Sequence, residues 1–555
     1  MGVLLATFAF AVLRVAMAES LWLDELHTSW TVSGPWREIA SRAAAGNQTP
    51  LYFWLVGIIT QTLGQQTEWV LRLPSVVAWL LAIVLVGWLV HAKAAPLDPH
   101  LRGGLVYNQH SWLFALCIVA WIVLDRLQWF FASEARPYAF VQLVSLAGWC
   151  CVEAIVQSEN RPNCNGSPTT GKLTTGTLIV VWCILSVANI YLHLTAALPV
   201  LFQWLVGGGL VWWKHSQQRH GERTTGTPSR SGQWSQVTLR SQAALAWALA
   251  AAGVGLALLP ILQLAFPVWH RRGQWATFAS DVSIHRATSM FPFVPVLLCV
   301  LIGCVVDRTW QTKTPSLSIA SEVRWIWWTA MLGPWLWAWT LTAVGIAPMF
   351  HQRFVIASAM PLFVVGAIEL LRCRHLTMRW VTCLAVAIAI AFSQGSLSIW
   401  RSGYLVGNLR GEDWRAATEW VSERIEPGEP LLCSGGLIEA NASPTNPLNL
   451  PLDPRFAEYL SFPLIGVYHI ADPSGQIVPV TPLLGDHRQW ASQVIERIAE
   501  EPLRSERLWL FYRGAPGRLK TKLTEFQADL QMKNINFEAS EPKRFGGLYV
   551  VELKR

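Results

Sequence analysis

The sequence predicts a mainly α-helical, polytopic membrane protein with a soluble α/β domain at its C-terminal end, and three observations lead there. Hydrophobic residues fill 52% of the 555 positions and charged residues only 14%, a balance that water-soluble globular chains do not carry. Eleven apolar runs are long enough, allowing for tilt, to cross a hydrocarbon layer of about 30 Å. After position 400 the texture changes to amphipathic and alternating segments of the soluble kind.

The runs fall at 3–18, 69–90, 105–124, 137–156, 174–191, 194–213, 241–268, 290–306, 324–347, 354–371 and 379–400. The first imitates a signal peptide, with a small-x-small ending at Ala16-Met17-Ala18. It lacks a basic start, and Arg14 interrupts its apolar core, so it is read as a span. The segment TPLYFWLVGIITQTLG, 49–64, is short for a span and reads as an interfacial or re-entrant helix. Lys and Arg concentrate in the loops after the second, fourth, sixth, eighth and tenth runs, most densely in KHSQQRHGER and RCRHLTMR. Positive charge is retained on the cytoplasmic side, so the N-terminus is expected inside and residues 401–555, after an odd number of spans, outside.

The expected division is a transmembrane domain over 1–400 and an extracytoplasmic domain over 401–555. In the latter, GEDWRAATEWVSERI reads as an amphipathic helix, followed by a Pro-Gly break and the buried strand LLCSGG. RLWLFYRG reads as a second strand, LKTKLTEFQADLQMKN as a helix and FGGLYVVEL as a last strand. The net charge of +8 is accounted for by the cytoplasmic loops and calls for no nucleic acid. Ten cysteines stand singly, apart from Cys150-Cys151, without ligand spacing, so neither a disulfide framework nor a zinc site is expected. Cys433 reads as a buried strand residue.

The functional clue is sidedness. Asp24, Glu25 and His27, then Glu134 and Arg136, Tyr191 and His193, His270 to Arg272, His285 and Arg286, and finally His351 and Arg353 all fall in the non-cytoplasmic loops. Each has a structural reading: basic residues anchor span ends, Glu134 and Arg136 form a local pair ahead of Pro137, and His193 caps a turn. Two adjacent carboxylates flanked by Leu and Trp are harder to place, because desolvation disfavours them unless something nearby uses them. Together these residues suggest an outer cavity, with a carboxylate as general base toward a hydroxyl or amine and Arg or His holding a phosphate.

The ordered series WLDELHTSW, TPLYFWLVGIITQTLG, WVLRLPSVVAWLLA, FFASEARPYAFVQLVSL, YLHLTAALPVL and HQRFVIASAMPLFVV resembles the GT-C glycosyltransferases over roughly residues 1–400. The likeness is to the bacterial branch related to protein O-mannosyltransferases, glycosyltransferase family 39, and to lipid A aminoarabinose transferases. The resemblance implies a GT-C fold of about 11 transmembrane helices plus interfacial helices, in a bacterial plasma membrane. It implies transfer of a sugar from a polyprenyl-phosphate donor, with inversion, to a protein, lipid or glycan acceptor at the outer face.

By the same resemblance Asp24 is the general base and Glu25 its neighbour or a metal or acceptor contact. Glu134, Arg136 and Arg353 line the donor phosphate region, and His193 matches a histidine of a YTH-like turn whose middle position is Leu192 here. Thr49-Pro50 stands where a Pro-Pro pair is usual. Relatives differ in their use of a divalent metal, and the Asp-Glu pair leaves that open. The alternative from another class is a transporter or flippase of lipid-linked sugars, which predicts ionisable or helix-breaking residues deep within spans and repeated halves. A membrane anchor for the outer domain needs one span, not eleven.

Overall fold

A computed structural model describes residues 2–94, 105–158, 174–224, 233–270, 272, 279–309, 319–395, 411–436, 454–483, 490, 494 and 506–555. Helices dominate as far as residue 395. They are α1 (Gly2–Ala18), α2 (Leu23–Ser33), α3 (Ile39–Ala45), α4 (Leu51–Leu63), α5 (Glu68–Ala94), α6 (Leu105–Leu124), α7 (Arg126–Ala132), α8 (Tyr138–Ser158) and α9 (Thr175–Leu192). Then follow α10 (Ala197–Thr224), α11 (Gln233–Ala257), α12 (Leu259–His270), α13 (Ile284–Ser289), α14 (Phe293–Thr309), α15 (Ser321–Ala343), α16 (Ala359–Leu371) and α17 (Leu376–Ser393).

Each expected apolar run contains a helix, though the described ends of several, such as 290–292, 344–347 and 354–355, lie outside it, and α4 falls within the short segment 49–64. Among the described residues five helices are long and apolar enough to cross a membrane: α5, α8, α9, α10 preceded by its short entry turn, and α17. Two bent pairs raise the number to seven, α6 with α7 at 76° and α11 with α12 at 63°. The expected count of eleven thus includes four helices, α1, α14, α15 and α16, that fall short in length or apolarity. Pro260, in the first turn of α12, supplies the physical cause of the second bend, because it has no N–H to continue α11.

The chain divides into two compact units. The first comprises Met1–Phe10, Ser75–Ala132 and Pro137–Arg401. Its outward faces are apolar, with Trp212, Leu256, Leu301 and Phe392 all more than half exposed, as lipid-facing side chains must be. Polar groups are turned inward and bonded across helices. Asn189 donates to the Ser145 hydroxyl at 2.8 Å and Trp182 to the Gln203 carbonyl at 3.1 Å. The Glu153 carboxylate of α8 accepts from Lys93, from Gln157 at 2.7 Å and from the Trp327 indole at 2.6 Å.

The second unit comprises Ala11–Pro74, Ser133–Arg136 and Ser402–Arg555. Residues 11–74 and 133–136 thus group with the C-terminal residues rather than with the helices around them in sequence. Here lie α18 (Trp414–Ser422), β1 (Leu431–Ser434), α19 (Pro454–Ile465), β2 (Val480–Pro482), β3 (Arg507–Arg513), α20 (Pro516–Gln531), β4 (Glu538–Ala539), β5 (Lys543–Phe545) and β6 (Leu548–Lys554). The sheet order is β2-β1-β3-β6-β4, with β5 also on β6. Strands β2, β1 and β3 are parallel and β6 runs antiparallel to β3, pairing Arg507 with Lys554 through to Arg513 with Leu548. Leu519, Leu523, Phe526 and Leu530 recur at helical spacing on α20 and join Leu508, Leu510, Tyr512, Val551 and Leu553 in one core. The amphipathic helix is shorter than GEDWRAATEWVSERI, ending ahead of Pro427-Gly428, and α19, β2, β4 and β5 are elements the sequence did not suggest. Gly546 turns β5 into β6 at φ +71°, and a Cβ there would meet the Gly411 carbonyl at 2.6 Å.

Candidate active site

Four of the six expected site residues, Asp24, Glu25, Glu134 and Arg136, belong to the second unit. Helix α2 starts after Trp22 and carries both acids in its first turn, where the N-terminal end of the dipole favours carboxylates. Successive helical residues point about 100° apart, so the two neighbours face different surroundings.

Glu25 faces inward, is fully buried, and has both oxygens bonded. Its Oε1 accepts from Arg72 Nε and from the Ala135 N–H, each at 2.7 Å. Its Oε2 accepts from Arg72 Nη2 at 2.5 Å and from the Trp22 N–H at 3.3 Å, the reach-back half of a capping box. Arg72 spends its remaining donors on the carbonyls of Ala16 at 2.6 Å, Glu19 at 2.8 Å and Ser20 at 3.0 Å. The first is in the last turn of α1, where a helix leaves its carbonyls without an internal partner, and with these bonds all five guanidinium N–H groups are satisfied. One buried pair therefore joins the end of α1, the start of α2 and the loop 133–136.

That loop is fastened to α2 twice more. The Thr28 hydroxyl donates to the Ala135 carbonyl at 2.8 Å, and Arg136 Nη1 donates to the Asp24 carbonyl at 3.2 Å. Glu134 and Arg136 are both buried, and the Arg136 N–H donates to the Glu134 carbonyl at 2.7 Å across a tight turn. Asp24, by contrast, is partly exposed. One turn further along α2, His27 sits among the rings of Tyr459 at 5.1 Å, Phe53 at 5.8 Å and Trp30 at 5.9 Å. Its imidazole is pushed down to about 3, by burial first and then by the Arg136 charge, with the Asp24 charge opposing them.

His193 and Arg353 belong to the first unit, where the two segments meet. The His193 ring lies 5.5 Å from Tyr138 and 6.1 Å from Phe354, the neighbour of Arg353. His193 Nδ1 also pairs with the Thr195 hydroxyl at 2.7 Å and accepts the Thr195 N–H at 3.3 Å, so this histidine caps the turn that begins α10. The Arg353 N–H donates to His351 Nδ1 at 3.3 Å. Arg271 lies outside the described residues. Arg272 anchors its helix end, donating to the Ile346 and Trp269 carbonyls at 2.9 and 3.0 Å with its guanidinium over the Trp269 ring.

Sequence reasoning passed over Arg72. The signal was there, an Arg inside the apolar run WVLRLPSV, where only a fully bonded or functional cation is tolerated. Among the described residues no three of His, Cys, Asp and Glu stand together as a metal site. Both Glu25 oxygens are committed to Arg72, Ala135 and Trp22, so Glu25 as placed offers no oxygen to a divalent cation.

No family model and no curated protein matches the chain. Among solved structures it is similar to ArnT from Cupriavidus metallidurans, an aminoarabinose transferase, in the apo state and bound to undecaprenyl phosphate. Each match has 13% identity and a TM-score of 0.44 and covers 99% of this chain and 97% of the other. It is also similar to the Archaeoglobus fulgidus oligosaccharyltransferase in complex with Zn and sulfate, at 14% identity and a TM-score of 0.46, over 98% of this chain and 72% of that one.

Proposed function

We propose that the protein is a membrane glycosyltransferase that moves a sugar from a polyprenyl-phosphate donor to an acceptor at the extracytoplasmic face, with inversion. The observation that carries this reading is the unequal fate of two adjacent acids: Glu25 is locked to Arg72 while Asp24 is partly exposed beside Arg136. Asp24 takes the proton of an acceptor hydroxyl or amine as that atom bonds to the anomeric carbon. The bond from that carbon to the phosphate oxygen breaks, and its electron pair leaves with the lipid phosphate. By the resemblance, Arg136 and Arg353 serve to meet the growing negative charge on the phosphate, and Glu134 and His193 to line the donor phosphate region. One base opposite the leaving group suffices for inversion. Glu25 acts by holding α2.

In membranes supplied with labelled lipid-linked sugar, Asp24→Asn is expected to cut transfer by about 1,000-fold with expression unchanged, the scale of losing a general base. Transfer at the wild-type rate would remove Asp24 from the mechanism.

Two broken helix pairs favour a second reading, a transporter or flippase of lipid-linked sugars, because helices interrupted within the membrane are a transporter feature. Purified protein in vesicles separates the two: a flippase moves labelled lipid between leaflets without acceptor, and a transferase makes product without that movement.

A further inference from the structure

We infer that Glu412 and Tyr468, far along the chain, are positioning residues for Asp24; the inference rests on the transferase reading above. Three backbone N–H groups precede Asp24 without helical partners of their own, and each is bonded to a side chain. Trp22 N–H goes to Glu25 within the helix. Leu23 N–H goes to Glu412 Oε2 at 3.0 Å and Leu21 N–H to the Tyr468 hydroxyl at 2.7 Å, from residues 389 and 447 positions away.

Both partners are themselves fixed. The Glu412 carboxylate is nearly fully buried and also accepts from the Trp414 indole at 2.8 Å and from Arg513 at the end of β3. Its backbone bridges to Gly546, so the carboxylate is set by the sheet. The Tyr468 hydroxyl donates to Glu68 Oε1 at 2.8 Å, an oxygen that also receives Arg415 Nη2 at 2.5 Å, and the Arg415 N–H donates to the Ser20 hydroxyl at 3.2 Å. The stretch GEDWR, 411–415, thus holds residues 20 and 23, while Tyr459 and Glu458 of α19 meet Trp30 and Arg42.

A carboxylate and a phenol are uncommon caps this far from the helix they serve, and loss of either frees an N–H within three residues of the proposed base. The C-terminal residues therefore act as part of the catalytic framework. Their chemistry reaches the reaction only through the place and orientation of α2, where an error of about 1 Å costs on the order of 100-fold in rate.

The test uses the full-length protein in two readouts. Amide exchange of the peptide spanning 19–27 in detergent reports the clamp. Sugar transfer in membranes carrying metabolically labelled lipid-linked sugars, which supply donor and acceptor, reports its consequence. Glu412→Ala is expected to speed exchange at Leu23 at least tenfold and to slow transfer by about 100-fold. Glu412→Gln, whose amide oxygen still accepts the Leu23 N–H, restores most of both. Tyr468→Phe speeds exchange at Leu21 and slows transfer without emptying the packed ring position, which covers the event that Glu412→Ala fails to fold. Glu423→Ala, on the exposed surface, changes neither. Unaltered exchange in Glu412→Ala and Tyr468→Phe overturns the clamp, and loosened exchange with wild-type transfer overturns the positioning role. An inactive wild type with loosened exchange in the variants overturns the transferase reading and leaves the clamp standing.

Discussion

At the scale of single residues, Asp24 and Glu25 are indistinguishable in sequence, two acids in a first turn with apolar flanks. The partner that separates them, Arg72, lies 47 positions away, and no local pattern announces the pairing. His27 is similar: its ring environment comes from α2, α4 and α19 at once. It carries a testable consequence. An imidazole pushed down to about 3 stays neutral in the folded protein while the unfolded chain takes up a proton near 6.5. Stability is therefore whole above about pH 6.5 and falls as pH drops toward 3, with a slope of up to about 1.4 kcal/mol per pH unit. Thermal unfolding of the detergent-solubilised protein between pH 7 and 5, above the range where most carboxylates titrate, reads this slope. His27→Phe is expected to flatten it; an unchanged slope would mean that His27 is not the group taking up the proton.

At the scale of elements, the apolar helices were legible because lipid solvation is written into composition, about twenty residues at a time. The breaks within them were legible only in part. Pro260 marks one, while the 76° turn between α6 and α7 at Asp125 has no helix-breaking residue to betray it. Elements of two or three residues such as β4 and β5 carry too little periodicity to be read at all. The joint made by Glu25 and Arg72 belongs to this scale, since it fastens three segments to α5. Removing one partner strands a buried charge at a cost of about 3–5 kcal/mol, whereas removing both spares that penalty. Glu25→Gln and Arg72→Met should each lower the unfolding midpoint strongly, and the double variant should fall well short of their sum. A coupling below about 0.5 kcal/mol, the range of independent sites, would mean that the two side chains do not act as a pair.

At the scale of the whole chain, the hydrogen bonds from residues 21 and 23 to 468 and 412 constrain how often the chain crosses the bilayer. Bonded residues stand on one side, so the number of crossings between 24 and 411 is even. The five long helices and two bent pairs give seven when each pair counts as one span, all within that interval. An odd number of α14, α15 and α16 must then cross as well, and if all three do, the eleven runs of the sequence are recovered with α1 as the first. Charge had pointed the same way, since Lys and Arg favour one set of loops. Single introduced cysteines read the result against the signal of the native chain's own cysteines. With a membrane-impermeant thiol reagent on intact cells, Arg37→Cys and Glu423→Cys are expected to label without permeabilisation, and Thr309→Cys only after it. Labelling of positions 37 and 423 from opposite sides would contradict the bonds between α2 and the C-terminal residues, and with them the proposed placement of Asp24.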